Sequence, residues 1–368
     1  MTALELFFDL VFVFAITQIT GFIAEHGTWT SMLEALAILA VLWWAWVAYA
    51  WLGNTAGSDG GTMRVVLLTA MGPLLILCLA VPGAFAGDGL TFGLAYAAVR
   101  GLHLVGYAVL ARSDPALHGV VVRLATTIVP AALLLVVAGA LDGRLRALCW
   151  IAALAVDYGG LALRGTEGWR VEPAHFAERY GLIIIIALGE SIVSLGVGAS
   201  HVELGSRVIV AALLGMVVAA ALWWAYFDVV ALAGEHRMTA LPAAGQSRIA
   251  RDSYSYLHLP MVGGIMLFAV GVKQSLTAET HELSGVVAVS LCGGVALYLV
   301  ALSAFKRRNY GSFNRPRLVA AVVLVLLAPL ATAVPALLAL GGVAVVSAAL
   351  ITFEAISYAE ARRRIRGT

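Results

Sequence analysis

Long apolar runs follow one another along almost the whole sequence, and they limit what the chain can fold into. A helix needs about 20 apolar residues to cross the hydrocarbon core of a bilayer. Runs of this kind lie near residues 5–24, 31–52, 64–86, 89–111, 118–140, 146–164, 177–199, 207–233, 252–272, 284–304, 318–338 and 341–360. Only 12% of the residues are charged, against about a quarter in soluble domains. The sequence therefore excludes a soluble globular fold and predicts an all-α polytopic membrane protein with about 12 transmembrane helices.

The positions of lysine and arginine predict how these helices are oriented. With the N-terminus inside the cell, 18 of the 23 Lys and Arg residues lie in cytoplasmic segments, four lie outside, and Arg100 lies within a helix. Cytoplasmic segments of membrane proteins are enriched in these two residues. We therefore expect both termini to be cytoplasmic, with Ser58, Ser113 and Ser312 in cytoplasmic loops and Thr28 and Ser200 in external loops.

A four-residue motif, Leu-Trp-Trp-Ala, occurs at 42–45 and again at 222–225, an offset of 180 residues. Weaker matches have offsets that increase along the chain from 173 to 194. Such a drift is typical of an ancient duplication with loop insertions, and chance matches between Trp-rich and Leu-rich helices are the alternative. Repeats with an even number of helices enter the membrane from the same side and are parallel. The predicted organisation is a first six-helix repeat at 1–164, an amphipathic linker at 165–176, a second six-helix repeat at 177–360 and a basic tail at 361–368.

A charged residue, Arg100, lies in the middle of the predicted fourth helix. A charge at this depth costs about 2.5–3.5 kcal/mol on insertion scales. Small residues that would allow a second helix to approach closely recur every fourth position beside it, at Gly89, Gly93, Ala97 and Gly101. We therefore expect Arg100 to face protein, with His103 one turn away, and to pair with Glu190 at a similar predicted depth. The pair would be either structural or part of a functional site.

Further titratable residues lie toward the predicted cytoplasmic ends of the helices. Glu5 and Asp9 share one helix face, as do Tyr254 and His258, because each pair is four positions apart. The short Asp and Glu side chains cannot easily reach the membrane surface, so we expect a cytoplasm-facing cavity that holds Asp9, Asp228 and His258. His258 would either relay protons or be a hydrogen-bonded core histidine. The full set of candidate substrate-binding or cavity residues is Glu5, Asp9, Arg100, His103, Glu190, Asp228, Tyr254 and His258.

Motifs for catalysis and metal binding do not occur in the sequence. There is no nucleophile elbow, zinc-protease motif or phosphate-binding loop, and Cys78, Cys149 and Cys292 lie in apolar runs without metal-ligand spacing. We therefore expect no catalytic residue, no metal and no cofactor, and an enzyme is the less favoured class. The linker is amphipathic, and we expect Trp169 and Phe176 to lie among lipid headgroups.

Four segments carry a family resemblance: ELFFDLVFVFAITQIT at 5–20, ERYGLIIIIALGESIVSLG at 178–196, WWAYFD at 223–228 and YSYLHLPMVGGI at 254–265. Together they resemble the bacterial low-temperature-requirement A (LtrA) family over essentially the whole chain. The resemblance implies a multi-pass protein of the bacterial cytoplasmic membrane. It assigns no biochemical activity, because the family is named for a growth phenotype in the cold. The family's motif positions fall on Glu5, Phe8, Asp9, Glu190, Asp228 and His258.

Three classes of function fit these features. The favoured one is a transporter or channel for a small solute or ion, with a polar cavity between the two repeats. The alternatives are a lipid-binding or lipid-modifying protein at the inner leaflet and a structural or stress-adaptation protein. Expected partners are membrane lipids, anionic ones in particular, and an unidentified small solute or ion; a homodimer is left open. Nucleic acid is not expected, because there is no continuous basic patch. Arginines expected to attract anionic lipid are those of the tail together with Arg164, Arg170 and Arg179.

Overall fold

A computed structural model describes residues 1–56, 61–166, 168–200, 203–278, 282–360 and 363 of the chain. These residues form helices and, within the described ranges, no strand. The first half contains α1 (Ala3–His26), α2 (Trp29–Ala56), α3 (Gly61–Leu79), α4 (Gly89–Ser113), α5 (His118–Gly139), α6 (Gly143–Arg164) and α7 (Pro173–Ser200). The second half contains α8 (Ser206–Phe227), α9 (Val230–Thr239), α10 (Ala243–Ile249), α11 (His258–Ala278), α12 (Gly285–Ala288), α13 (Gly294–Tyr310), α14 (Arg315–Ala331) and α15 (Ala336–Ser357).

The observed helices confirm an all-helical membrane protein. Every predicted apolar run overlaps a helical segment. In the part of the chain that the structure describes, ten segments are long and apolar enough to cross a membrane. The apolar stretch Met63–Leu79 is shorter, and α14 has 17 residues. About ten candidate spans are therefore established, and the arrangement as two six-helix repeats stays a prediction.

Two predicted helices extend too far. The third was expected to reach residue 86, but α3 ends at Leu79 and turns follow up to Asp88. The eleventh was expected to reach residue 338, but α14 ends at Ala331 and Pro335 caps the next helix. Apolar composition continues through both turns, so hydropathy alone does not locate these helix ends. Pro335 stands at the N-cap of α15, where a proline leaves no helical hydrogen bond unmade.

Three of the long segments in the second half are not regular α-helices. The segment 206–239 is interrupted at Asp228 and Val229, between α8 and α9. A π-helical stretch, Ala250–Tyr256, links α10 to α11, and a second one, Val289–Gly293, links α12 to α13. Such stretches are rare and often occur at functional sites. These irregularities place Asp228 and His258 beside distorted backbone.

The chain divides into two compact units. Unit 1 comprises residues 1–22, 33–179 and 241–251, and unit 2 comprises residues 23–32, 180–240 and 252–368. The predicted domain boundaries stay predictions. Of the predicted basic tail, only Arg363 is among the described residues.

In unit 1, consecutive helices from α3 to α6 pack against one another. A Cβ atom added to Gly93 would lie 2.7 Å from the Leu135 carbonyl oxygen, and one added to Gly139 would lie 2.4 Å from the Leu90 nitrogen. The backbones of α4 and α5 therefore touch. Part of the predicted small-residue stripe makes this contact, but Gly101 has no neighbour within 4 Å of a built Cβ.

In unit 2, α11 packs on α13, and α15 packs on α8 and α14. The backbones of α11 and α13 also touch, because a Cβ on Gly264 would lie 2.6 Å from the Gly294 carbonyl oxygen. At the end of α13, Gly311 adopts the left-handed conformation (φ 74°) and donates its N–H to the Arg307 carbonyl. This cap turns the chain sharply into α14.

The linker that the sequence predicts to be an amphipathic interfacial segment is mostly not helical where the structure describes it, and its aromatic residues are buried. Residues 165–172 are not helical where they are described, and α7 begins at Pro173. Trp169 is 9% exposed and Phe176 is 1% exposed. Both rings pack edge-on against Trp51, at 4.6 and 5.1 Å between centroids. The prediction that these two aromatics lie among lipid headgroups is wrong, because α2 offers them an aromatic packing partner.

Candidate functional site

A cluster of buried charges surrounds the start of α1 in unit 1. Glu5 and Asp9 are fully buried, and both contact Arg179 of α7. Arg179 Nη1 lies 3.4 Å from Glu5 Oε1, and its Nη2 lies 3.3 Å from Asp9 Oδ1. Trp46 donates its indole N–H to Asp9 at 2.8 Å, and His175 Nε2 lies 3.1 Å from Glu5. We call Glu5, Asp9, Arg179, Trp46 and His175 the N-terminal charge cluster.

The i, i+4 spacing of the two carboxylates was read correctly from the sequence, but their cation was missed. Arg179 was assigned to the membrane surface as a residue that attracts lipid, whereas it is 1% exposed and also donates to the Tyr49 carbonyl. Its position inside the apolar segment of α7 was the signal that could have identified it. Gly53 provides the space, because a Cβ there would lie 3.0 Å from both Arg179 and Glu5.

A second pair of buried charges lies between α4 and α6. Arg100 is 2% exposed, as expected for a residue that faces protein. Its Nη2 donates to Asp157 Oδ1 at 2.9 Å, and its Nη1 donates to the Trp44 carbonyl at 3.0 Å. Tyr96 donates its hydroxyl to the other oxygen of Asp157.

The carboxylate partner of Arg100 is therefore Asp157, and the predicted pairing with Glu190 is wrong. Glu190 accepts a hydrogen bond from Ser194 at 3.1 Å. Helices α4 and α6 both flank α5 and so run in the same direction. Arg100 and Asp157 lie 11 and 14 residues after the first residues of their helices. At 1.5 Å per residue the two side chains therefore reach similar depths.

A small cavity adjoins this pair within unit 1. Its volume is about 50 Å³. Arg100, His103 and Asp157 line it, together with Arg123 and Trp169. His103 is 1% exposed, and its ring also packs against Tyr49 and Tyr107. The structure thus brings the predicted residues Arg100 and His103 to one cavity.

In unit 2, aromatic rings enclose His258, which is fully buried. Tyr254 stacks on the imidazole at 5.2 Å between ring centroids. Tyr180, Tyr226 and Phe305 pack edge-on around it at 5.1, 5.6 and 5.5 Å. We call these five residues the histidine cage. The predicted shared face of Tyr254 and His258 is therefore a direct contact.

Hydrogen bonds fix both nitrogens of this histidine. Nδ1 lies 3.0 Å from the Ser253 carbonyl oxygen, and Nε2 lies 2.8 Å from the Tyr226 hydroxyl. A carbonyl oxygen can only accept, so Nδ1 carries hydrogen, and Nε2 of the neutral ring accepts from tyrosine. The π-helical stretch supplies the Ser253 carbonyl. These contacts favour a hydrogen-bonded core histidine over a solvent-facing proton relay.

A cavity in unit 2, which we call the Asp228 pocket, has a volume of about 610 Å³. Helix ends meet here: the break between α8 and α9, the last turns of α13 and α15, and the first turn of α14. Asp228 lies at the break. Aromatic and apolar walls are formed by Trp224, Val229, Val230, Ala233, Phe305, Tyr310 and Tyr358.

Charges of both signs line the rest of the pocket. Arg317 donates from Nε and Nη2 to the two oxygens of Glu354, each at 2.8 Å. Asn314 donates to the same carboxylate at 2.8 Å. Lys306 and Asp228 are the other two charged residues that line the pocket, and His236 and Ser312 line it as well. With His236 neutral, the two acids and two bases balance.

The candidate residues therefore fall into separate groups. In unit 1, Glu5 and Asp9 form one cluster, and Arg100 and His103 line one cavity. In unit 2, Phe305 belongs both to the histidine cage and to the wall of the Asp228 pocket. A single cavity shared by Asp9, Asp228 and His258 stays a prediction. Within the described ranges, no three His, Cys, Asp or Glu side chains are placed to hold a metal ion.

The sequence is similar to those of known proteins along most of its length. The family model described as bacterial low temperature requirement A protein (LtrA) matches residues 1–352. An uncharacterized protein of Rhizobium meliloti (strain 1021) is 31% identical over 317 residues, which are 82% of this chain and 76% of that relative. No solved structure matches the chain.

Proposed function

This chain belongs to the bacterial low temperature requirement A (LtrA) family of membrane proteins, and we propose that it transports a small solute across the bacterial cytoplasmic membrane. The solute binds in the Asp228 pocket of unit 2. The observation that carries the proposal is a space of about 610 Å³ at the interruption of a membrane-crossing helix, with an acidic side chain at the break.

The interrupted helix supports transport because an interruption leaves backbone groups free to contact a solute. Discontinuous helices in transporters place free backbone groups and charged side chains next to the substrate. Irregular backbone at membrane depth is tolerated where it lines a cavity. Asp228 and Val229 lie at such an interruption, and both line the pocket.

The lining favours a solute that carries a cationic or zwitterionic group. Asp228 supplies a counter-charge for a cation, and aromatic faces attract cations as well. Trp224, Phe305 and Tyr310 give the pocket such faces. Arg317 and Glu354 neutralise each other and shape the wall, and Asp228 and Lys306 are the other charged residues that line the pocket.

The orientation is part of the same proposal. The positive-inside distribution supports cytoplasmic termini. The pocket lies at the helix ends that flank Ser312, which the charge distribution assigns to the cytoplasmic side. In this arrangement the solute site opens toward the cytoplasm.

A second candidate function follows from the apolar part of the same pocket. Val229, Val230 and Ala233 lie beside the charged residues, so the headgroup and first methylenes of a zwitterionic lipid would also fit. This protein would then hold a lipid at the inner leaflet without transporting a solute.

Solute flux into proteoliposomes distinguishes the two functions. We would measure uptake of potassium, choline, glycine betaine and lysine, with glycerol and lactate as solutes that lack a cationic group. We expect flux of at least one of the first four to exceed that of empty liposomes, and Asp228→Asn to reduce it by about tenfold or more, because a neutral amide provides no counter-charge.

A matched charge deletion controls for nonspecific effects. Glu203 lies in an exposed loop before α8, and Glu203→Gln should leave the flux unchanged. Equal flux in wild-type and Asp228→Asn liposomes would contradict transport through this pocket. Absence of flux for all six solutes, together with zwitterionic lipid that is retained by wild type and lost from Asp228→Asn, would favour the lipid-holding function.

A further inference from the structure

The N-terminal charge cluster of unit 1 contains two acids and one permanently charged base. The acids are Glu5 and Asp9, and Arg179 contacts both of them. The side chains of these three residues are at most 1% exposed, so solvent does little to stabilise their charges. Whether the charges balance therefore depends on His175, the remaining titratable member of the cluster.

The contacts of Asn54 indicate that His175 is neutral. The Asn54 side-chain oxygen accepts from the backbone N–H of Glu172 at 2.9 Å, and its Nδ2 donates to the Glu172 carbonyl at 3.2 Å. These two backbone groups fix the orientation of the amide. Asn54 Nδ2 also lies 3.1 Å from His175 Nδ1, so Nδ1 accepts. The hydrogen of the imidazole is then on Nε2, which donates to Glu5.

In the described part of the chain, no further ion pair balances the two acids. The Met1 ammonium group is paired with Glu178 at 2.7 Å. Two titratable groups from neighbouring helices, the Tyr49 hydroxyl and the Cys78 thiol, donate to backbone carbonyl groups. With both acids ionised, two negative charges and one positive charge give the cluster a net charge of −1.

A net charge at such a buried position is costly, and binding one proton removes it. Buried groups without a counter-charge generally become neutral by changing their protonation. A metal cation would need several oxygen ligands, whereas N–H groups of Arg179 and Trp46 point at Asp9. These surroundings favour a proton over a metal cation.

The hydrogen bonds of the four carboxylate oxygens indicate which of them can hold the proton. Glu5 Oε1 accepts from Arg179, and its Oε2 accepts from His175. Asp9 Oδ1 accepts from Trp46 and Arg179. Asp9 Oδ2 is buried and has no hydrogen-bond partner among the described residues. A hydrogen on any of the first three oxygens would point at another donor, and an unpaired neutral hydroxyl costs less to bury than an ionised oxygen.

We propose that Asp9 is a proton-binding site, at which Oδ2 carries a proton at neutral pH and exchanges it with the solvent. Binding of one proton changes the net charge of the cluster from −1 to 0. The side chain of His175 is 15% exposed, so solvent reaches the cluster at this residue. The site lies in unit 1 and does not require a solute in the Asp228 pocket.

Infrared spectroscopy of the full-length protein in lipid bilayers detects this proton directly, because a protonated carboxyl group has a C=O stretch separate from the bands of ionised carboxylates. Aspartate labelled with carbon-13 in its side-chain carboxyl group identifies aspartate bands by their isotope shift. We expect wild type to show a protonated-aspartate band at neutral pH that disappears at alkaline pH. Asp9→Asn keeps the volume of the side chain and should lose this band.

The control is Asp157→Asn. Asp157 is another buried aspartate of unit 1, but both of its oxygens accept hydrogen bonds and Arg100 balances its charge, so this change should leave the band as in wild type. Absence of a protonated-aspartate band in wild type would overturn the proposal without any variant. A band that persists in folded Asp9→Asn, or that is lost from folded Asp157→Asn, would overturn it as well.

Discussion

Arg100 and Asp157 are each buried, with 3% and 4% of their side chains exposed. A single charge at such a position is costly, because little solvent remains to stabilise it. The ion pair, the Trp44 carbonyl and the Tyr96 hydroxyl replace that solvent. The same reasoning applies to Arg179, whose charge is divided between Glu5 and Asp9.

We predict that Arg100 and Asp157 are strongly coupled in stability. Arg100→Leu alone leaves a buried carboxylate unpaired, at a cost of about 3–5 kcal/mol. The double variant Arg100→Leu/Asp157→Leu removes both charges and should be destabilised by clearly less than the sum of the single changes. Equilibrium unfolding of the detergent-purified protein in increasing dodecyl sulfate measures each variant.

An exposed pair in the same unit is the control for this cycle. Arg170 and Asp114 lie 3.6 Å apart, with 77% and 35% of their side chains exposed. Their coupling should stay below about 1 kcal/mol. Additive effects at Arg100 and Asp157, within about 0.5 kcal/mol, would show that this pairing does not stabilise the fold.

At the scale of the helix, close approach depends on which glycines face a neighbour. Gly93 of α4 lies against the backbone of α5, whereas Gly101 of the same helix has open space beside it. Spacing alone treats these two glycines as equivalent. The contact with α5 distinguishes them.

We predict opposite effects of alanine at these two positions. Gly93→Ala places a methyl group 2.7 Å from a carbonyl oxygen, and overpacking of this kind costs about 1–3 kcal/mol. Gly101→Ala meets nothing within 4 Å and should be neutral or stabilising by up to about 1 kcal/mol, because glycine weakens a helix interior. Melting temperatures of the two variants test this difference, and an equal loss in both would contradict the α4–α5 contact.

At the scale of the whole molecule, orientation in the membrane follows from the distribution of Lys and Arg. We predict that a cysteine at Ser312 is labelled by an impermeant thiol reagent only after cells are permeabilised, and that one at Ser200 is labelled in intact cells. Both positions are exposed in the structure. Ser58, which was assigned to the same side as Ser312, lies outside the described residues.

The background for this experiment is a variant in which the native cysteines, Cys78, Cys149 and Cys292, are replaced by alanine. Cysteine at Thr28, another exposed residue, should behave like cysteine at Ser200. Labelling of Ser312 from outside in intact cells would reverse the proposed orientation and place the mouth of the Asp228 pocket on the external side.

Sequence reasoning predicted the local relations in the site better than the distant ones. Glu5 and Asp9 share a face, Tyr254 touches His258, and Arg100 faces protein, as their spacing and cost of burial required. The partner of Arg100 was wrong and Arg179 was missed. Depth estimated by counting residues from a helix start is too imprecise to choose between carboxylates on different helices.

The sequence by itself determined that this chain forms apolar membrane helices, because burial in lipid requires long runs that satisfy their own backbone hydrogen bonds. It also determined which neighbours share a helix face. Only the tertiary structure decided which distant side chains meet. Arg179 is 174 residues from Glu5 and 170 from Asp9 along the chain. Contacts of this kind depend on the packing of whole helices, and local spacing carries no information about them.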